Sequence, residues 1–172
     1  KTVLTPEDLT ACRLIFGEAD QLPGLTVDRF GDILVAQTLS LGLERVKGVL
    51  FPALRRVLEE DGAAVRGIYE RNDVAIRRLE GLEEGKGFFP LEGLPEPEST
   101  LTQITENGIR YQVDFENGQK TGFFLDQKFN RRAVALLARG KRVLDCFTHT
   151  GSFALNAAAG GAAQVCAVGV SA

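Results

Sequence analysis

The feature that most restricts what this chain can fold into lies near its end. Arg142 to Phe147 is a short apolar strand, Thr148 to Gly151 a tight loop, Ser152 to Ala159 a helix, Gly160-Gly161 a stop, and Gln164 to Val170 a second apolar strand. Two strands joined by a crossover helix must lie parallel, which places this segment in an α/β arrangement. Within it, Val143-Leu144-Asp145-Cys146-Phe147-Thr148-His149-Thr150-Gly151-Ser152-Phe153 ends a strand in a carboxylate, turns on a glycine and enters a helix. Doubly wound folds present a cofactor at such a carboxyl edge. The G-x-G-x-x-G spacing that brings a pyrophosphate against the backbone is missing, which disfavours a dinucleotide. Asp145 argues the same way, because a carboxylate repels phosphate and attracts a cationic amino group. On pattern alone, a small-molecule cofactor site and a plain βα turn stay equally open.

The first half reads as a separate α+β unit of strands, helix and strands. Residues 12–16, 25–30 and 33–39 have strand-like content, with Leu22-Pro23-Gly24 and Phe30-Gly31-Asp32 as turns. Val46, Val49, Leu50, Ala53, Leu54, Val57 and Leu58 follow helical spacing, which predicts one amphipathic helix over residues 44–60. Pro52 is expected to kink that helix or to mark its true start. Gly67 to Glu70 and Val74 to Leu79 are short strand candidates. Residues 81–98 are rich in Gly, Pro and Glu, which places the linker and domain boundary there, between a domain over 1–98 and a second over 99–172.

After the boundary, Ile109, Tyr111, Val113 and Phe115 alternate with polar residues as in a half-buried strand. Asn117-Gly118 then predicts a type I′ hairpin with Gln119 to Phe124 as the returning strand. Asp126 is the expected N-cap of a helix whose apolar face is Phe129, Ala133, Val134, Leu136 and Leu137, with Gly140 as its stop.

Charge and cysteine content narrow the classes further. The net charge of −3 argues against nucleic-acid binding through bulk charge. Residues 1–98 carry 12 basic and 18 acidic side chains out of totals of 20 and 23, so the remainder has 8 and 5 and is mildly basic. Cys12, Cys146 and Cys166 are odd in number and widely spaced, which disfavours a disulfide framework or a cysteine zinc site and fits a reducing, cytoplasmic setting. Cys12 and Cys166 read as buried strand residues and Cys146 as a small loop residue. His149, the single histidine, cannot build a metal site alone. Residues 153–172 read better as a buried helix and strand than as a membrane span. The chain has no Met and opens on Lys1, and the expectation is a piece of something longer.

A more specific signal lies in Gly118-Gln119-Lys120-Thr121-Gly122-Phe123-Phe124-Leu125-Asp126-Gln127 with Asn130-Arg131-Arg132, followed by Leu144-Asp145-Cys146-Phe147 and Thr150-Gly151-Ser152-Phe153. These runs resemble the RlmI-like group of bacterial class I methyltransferases that use S-adenosylmethionine (SAM). Upstream, Leu22-Pro23-Gly24-Leu25, Val27-Asp28-Arg29, Gly67-Ile68-Tyr69-Glu70-Arg71 and Arg77-Arg78-Leu79-Glu80-Gly81 are similar to the central domain of the same group. The resemblance implies an α+β central domain, then a β-hairpin and helix, then the first β-α-β of a Rossmann-like methyltransferase domain. It implies methylation of a cytosine C5 in 23S ribosomal RNA, with SAM as cofactor.

By the same resemblance, Lys120, Thr121, Gly122, Phe124, Asp126, Gln127 and Arg131 line one side of the SAM pocket. Asp145, Phe147, Thr150, Gly151, Ser152 and Phe153 form the other, with Asp145 near the methionine part. From its chemistry alone, Arg131 would instead belong to a solvated helix face. The family places an acidic residue at the end of the second strand, where this chain has Gly169, and glycine offers the ribose hydroxyls no acceptor. The family's nucleophilic cysteine belongs to a later motif beyond Ala172, so no catalytic residue and no metal ligand is assigned within the chain. A fragment without activity of its own is therefore expected. The alternative is a folded module for RNA positioning or self-association, and a homodimer stays open; no membrane partner is implied.

Overall fold

The computed structural model describes residues 8–169, so Val170, the last residue of the expected second strand, lies outside the described residues along with Ser171 and Ala172. The chain divides into two compact units: residues 1–105 with 110–123, and residues 106–109 with 124–172. The boundary expected at 81–98 instead falls inside the first unit.

That unit is built on a five-stranded sheet in sequential order, β1 (Ala11–Phe16), β2 (Leu25–Phe30), β3 (Ile33–Thr38), β4 (Gly67–Arg71) and β5 (Lys86–Phe88). All neighbours are antiparallel except β3 and β4, which run parallel from Ile33↔Gly67 to Ala36↔Glu70. Parallel neighbours need a crossover. The helix α1 (Leu41–Glu60) supplies it and packs Leu43, Leu50, Phe51, Leu54 and Leu58 against Leu25, Val27, Leu34, Ala36 and Ile68. On the other side of β4, Tyr69 meets Phe88 and Phe115 edge-on, with ring centroids 5.0 and 5.1 Å away. Apolar packing on both sides explains why Ile33, Leu34, Val35 and Ala36 are all fully buried.

Several expectations are corrected here. The helix begins three residues before Glu44, because Ser40 Oγ accepts from the Leu43 amide and caps it. Pro52 neither starts nor ends the helix; the packing of Phe51 and Leu54 holds it through the lost backbone bond. Residues 75–80 form a 3-10 turn rather than a strand. The turn sends Arg77 inward, where its guanidinium donates to the Thr38 carbonyl, to the Glu83 carbonyl at 2.7 Å and to Glu44 at 3.1 Å. The expected linker contributes β5, and its Leu91 belongs to the core, with Phe89 and Leu94 packed against it.

The hairpin is real but sits one Asn-Gly earlier than expected. Asn107 (φ 53°) and Gly108 (φ 76°) join β6 (Leu101–Glu106) to β7 (Ile109–Asp114), both in the positive-φ region that a two-residue turn demands. Asn117-Gly118 is claimed by Asp114 instead. Its carboxylate accepts from the Glu116 and Asn117 amides at 3.0 and 2.9 Å, and its carbonyl accepts from Gly118 N at 2.9 Å. Residues 115–124 consequently loop and never pair as a strand.

In the second unit a 3-10 turn (Leu125–Gln127) leads into α2 (Lys128–Ala138), β8 (Arg142–Asp145), α3 (Ser152–Ala159) and β9 (Gln164–Ala167). The strands β8 and β9 are parallel, from Arg142↔Gln164 to Asp145↔Ala167. The two helices approach so closely that a Cβ at Gly160 would stand 2.0 Å from the Ala135 carbonyl oxygen. Gly140, at φ 69°, stops α2 as expected. Asp126 does not cap it; Gln127 occupies that position, without a side-chain bond. The expected apolar face is also outward, with Leu136 78% and Leu137 75% exposed, because α2 turns Arg131 and Ala138 inward instead. Cys12 is buried as expected but Cys166 is exposed, along with Leu144 and Val168, since two strands and one helix cover only part of their sheet. Among the described residues, no helix is long and apolar enough to cross a membrane.

Acid sensitivity of the first unit follows from its paired carboxylates. Burial by itself raises Glu44, Asp73 and Asp114, but bonds from Lys47 and Arg77, from Arg71, and from Asn117 respectively outweigh it and hold all three below their usual values. A depressed folded pKa contributes stability that is present above the unfolded carboxylate value of about 4 and is lost as pH falls through the folded values. The urea midpoint of the first unit is therefore expected to drop on acidification below that value. Tyrosine fluorescence reads it cleanly, since Tyr69 and Tyr111 are the only tyrosines, both lie in this unit, and the chain has no Trp.

Candidate functional site

Each element of the candidate site follows from a local sequence cause. In the second unit β8 ends at Asp145, and the chain then turns through residues 146–151 into α3. His149 (φ 48°) and Gly151 (φ 75°) take left-handed conformations in that turn, and Gly151 N donates to the Thr148 carbonyl at 2.7 Å. Thr148 N in turn donates to Val168 O at 3.2 Å and Val168 N to Asp145 O at 2.8 Å, which fastens the turn to the end of β9.

Two polar atoms in this turn are out of solvent and have no hydrogen-bond partner, Asp145 Oδ2 and Thr148 Oγ1. Buried oxygens of this kind cost free energy unless a ligand or water meets them. A carboxylate with a spare acceptor beside a helix start suits a cationic amino group with an attached carboxylate, the chemistry of the methionine part of SAM. Gly169 stands beside the same turn, where an added Cβ would lie 3.0 Å from Thr148 Cγ2. An acidic side chain there would therefore require Thr148 to shift.

The structure gathers part of the expected set into one cluster of the second unit. Arg131, fully buried, makes a two-pronged ion pair with Glu106, Nε to Oε1 at 2.6 Å and Nη2 to Oε2 at 2.9 Å. Nη2 also donates to the Phe124 carbonyl at 2.7 Å, and the guanidinium lies over the Phe153 ring, 5.8 Å from its centroid. The Phe124 ring meets His149 edge-on at 5.6 Å. Phe124, Arg131 and Phe153 are thus brought together, whereas the solvated-face reading of Arg131 is wrong. Ser152 is buried at the first position of α3, while Thr150 and Phe147 are exposed, Phe147 by 94%. Asp126 is exposed and accepts from Gln127 Nε2 at 3.2 Å; Gln127 Oε1 accepts from Asn130 at 2.9 Å.

Lys120, Thr121 and Gly122 belong to the first unit. Thr121 Oγ1 donates to Asp28 Oδ2 at 2.6 Å, and Asp28 also takes both prongs of Arg13 at 2.7 and 2.9 Å. Arg71 donates to the carbonyls of Phe115 and Gly118 at 2.9 and 3.0 Å. The two glycines of this loop close on each other, so that a Cβ at Gly118 would meet the Gly122 Cα at 2.8 Å. Lys120 is exposed in a left-handed conformation, φ 53°. Sequence reasoning missed Asp28 and Arg71 as supports of this loop and Glu106 as the partner of Arg131. Ion pairs 25 residues apart, as between Glu106 and Arg131, leave no local sequence signal.

With this geometry in place, comparison with known proteins is informative. The family described as S-adenosylmethionine-dependent methyltransferase matches residues 41–172, and the chain belongs to that family. Its cofactor is SAM. A curated relative from Aeromonas salmonicida, named ribosomal RNA large subunit methyltransferase I, is 46% identical over 165 residues, covering 96% of this chain and 39% of that protein. A solved structure of a candidate SAM-dependent methyltransferase from Streptococcus mutans has a TM-score of 0.72 and 29% identity over 94% of this chain and 39% of its own. Another, of a candidate methyltransferase complexed with SAH, has a TM-score of 0.74 and 29% identity over 94% of this chain and 38% of its own. The chain spans about two-fifths of the length of the curated relatives it matches.

Removing one partner of a buried ion pair leaves the other charge uncompensated, which costs roughly 3–5 kcal/mol. Arg131→Ala is therefore expected to destabilise the second unit by about that amount, through the stranded Glu106 carboxylate. Hydrogen exchange of the α2 and α3 amides reads the loss, since this unit contains no tyrosine.

Proposed function

We propose that this chain is part of a SAM-dependent methyltransferase that acts on a cytosine C5 of 23S ribosomal RNA in the cytoplasm. In this reading the first unit is the central α+β domain, and the second opens a Rossmann-like catalytic domain. The observation that carries the cofactor assignment is the pair of buried, unpartnered oxygens, Asp145 Oδ2 and Thr148 Oγ1, where β8 turns towards α3. The names of the curated relatives support ribosomal RNA as substrate.

SAM supplies an electrophilic methyl group when bound. The Asp145 carboxylate would accept from its cationic amino group, and the left-handed Gly151 closes the turn that leads from Asp145 into α3. Phe124, Asp126, Gln127, Phe147, Thr150, Ser152 and Phe153 complete the cofactor contacts proposed for the second unit. Methylation at C5 requires a thiolate to add to C6, and none of Cys12, Cys146 and Cys166 is given that role. The residues present accordingly bind and orient; they do not complete the reaction.

Calorimetric titration with SAM tests the cofactor reading. Asp145→Ala is expected to weaken binding about tenfold or more, the value of one hydrogen bond to a charged group. Unchanged affinity would remove Asp145 from the site. The inactivity of the isolated chain is checked separately with ribosomal RNA and radiolabelled SAM. No methyl incorporation is expected, and turnover would overturn that part of the proposal.

A second reading, a folded module that positions RNA or self-associates, is favoured by one observation: β3 of the first unit is buried over four consecutive residues by packing on both its faces. Strong amide protection from β1 to β4 with fast exchange after residue 140 is its expected signature, and uniform protection counts against it.

A further inference from the structure

Arg131 was expected to touch the cofactor, but its polar contacts point elsewhere. Its Nε and Nη2 meet both Glu106 carboxylate oxygens, and Nη2 also reaches the Phe124 carbonyl. The neighbouring residue of the hairpin tip makes a parallel connection. Asn107 Nδ2 donates to the Lys128 carbonyl at 3.2 Å and to Asn156 Oδ1 at 3.1 Å, and Asn156 Nδ2 donates to the Ser152 carbonyl at 2.8 Å. Glu106, Arg131 and Asn156 are each about 1% exposed. Two adjacent residues therefore reach the start of α3 by two routes, one through the buried Arg131 to Phe153 and one through the buried Asn156 to Ser152.

We infer that Glu106 and Asn107 are positioning residues for SAM binding, and that Arg131 acts through Phe124 and Phe153 rather than on the cofactor itself. The inference rests on the SAM reading of the Asp145 turn. Its physical basis is preorganisation. A two-pronged pair fixes the guanidinium plane, and that plane sets the Phe153 ring and the Phe124 carbonyl. An amide with both its donor and its acceptor engaged, as in Asn156, permits one orientation of the α3 entry. The left-handed conformation of Asn107 belongs to the same device, because it is the turn geometry that aims the amide at the helices.

Two variants separate positioning from simple support of the fold. Asn107→Gly keeps the left-handed turn and deletes the amide; Glu106→Gln keeps the shape and deletes the charge. Calorimetry with SAM reads stoichiometry and affinity independently. A weakening of about tenfold at unchanged stoichiometry is expected for each, one charged or doubly used hydrogen bond in magnitude. Hydrogen exchange is expected to quicken at the amides of residues 152–155 while α1 keeps its protection. A loss confined to stoichiometry, or parental affinity in both variants, would overturn the inference. If the parent chain binds no SAM, the cofactor reading fails by itself, and the exchange at residues 152–155 alone decides whether the hairpin tip positions α3.

Discussion

The second unit depends on one buried ion pair. Taking a carboxylate and a guanidinium out of water is costly, and the cost is offset only where geometry is good and the remaining donors are satisfied. Glu106 and Arg131 meet those conditions with two short parallel bonds and a third to the Phe124 carbonyl. The pair joins the hairpin tip to α2, and the ring of Phe153 lies under the guanidinium at the start of α3. An apolar contact of similar area would hold these elements together without fixing their rotation. The ion pair fixes it, because a planar fork tolerates little error.

The first unit solves a comparable problem with three other charged residues, of which Arg71 and Asp28 are buried. Its residues 115–122 form no strand, so their backbone groups need partners from elsewhere. Arg71 takes the carbonyls of Phe115 and Gly118, Asp28 takes the Thr121 hydroxyl, and Asp114 takes the amides of Glu116 and Asn117. Tyr69 lies beside this loop with its hydroxyl donating to Glu116 at 3.2 Å; burial first, then the Glu116 carboxylate, pushes its pKa up to about 12. A loop without regular structure is thus held by side chains from β2, β4 and β7.

Much of the chain could be read in advance where the cause is local. The three strands ending near residue 38, the crossover helix, β7, α3 and its glycine stop all carry periodicity or turn chemistry within a few residues. The family match and its cofactor follow from the runs around Lys120 and Asp145, and the match to residues 41–172 agrees with that reading. The misplaced elements share a different cause. Asn117-Gly118 has the same dipeptide signal as Asn107-Gly108, but Asp114 consumes the amides that a hairpin would need. Leu136 and Leu137 carry helical spacing, yet α2 presents its narrow side, where Ala135 admits Gly160. Residues 81–98 look like a linker in composition, while a three-residue strand and three apolar side chains bind them to the sheet.

By itself, the sequence determined the first three strands, the parallel pairing of β8 with β9 and the glycine turn between Asp145 and α3, since each depends on residues close together along the chain. Only the tertiary structure decided which Asn-Gly turns the hairpin, which face of α2 is inside and what Arg131 holds. Those outcomes depend on competition between distant groups for the same hydrogen bonds and the same buried volume. Glu106 and Arg131 show the difference: the sequence marks Arg131 but gives no sign of Glu106, and once folded each is the other's charge partner.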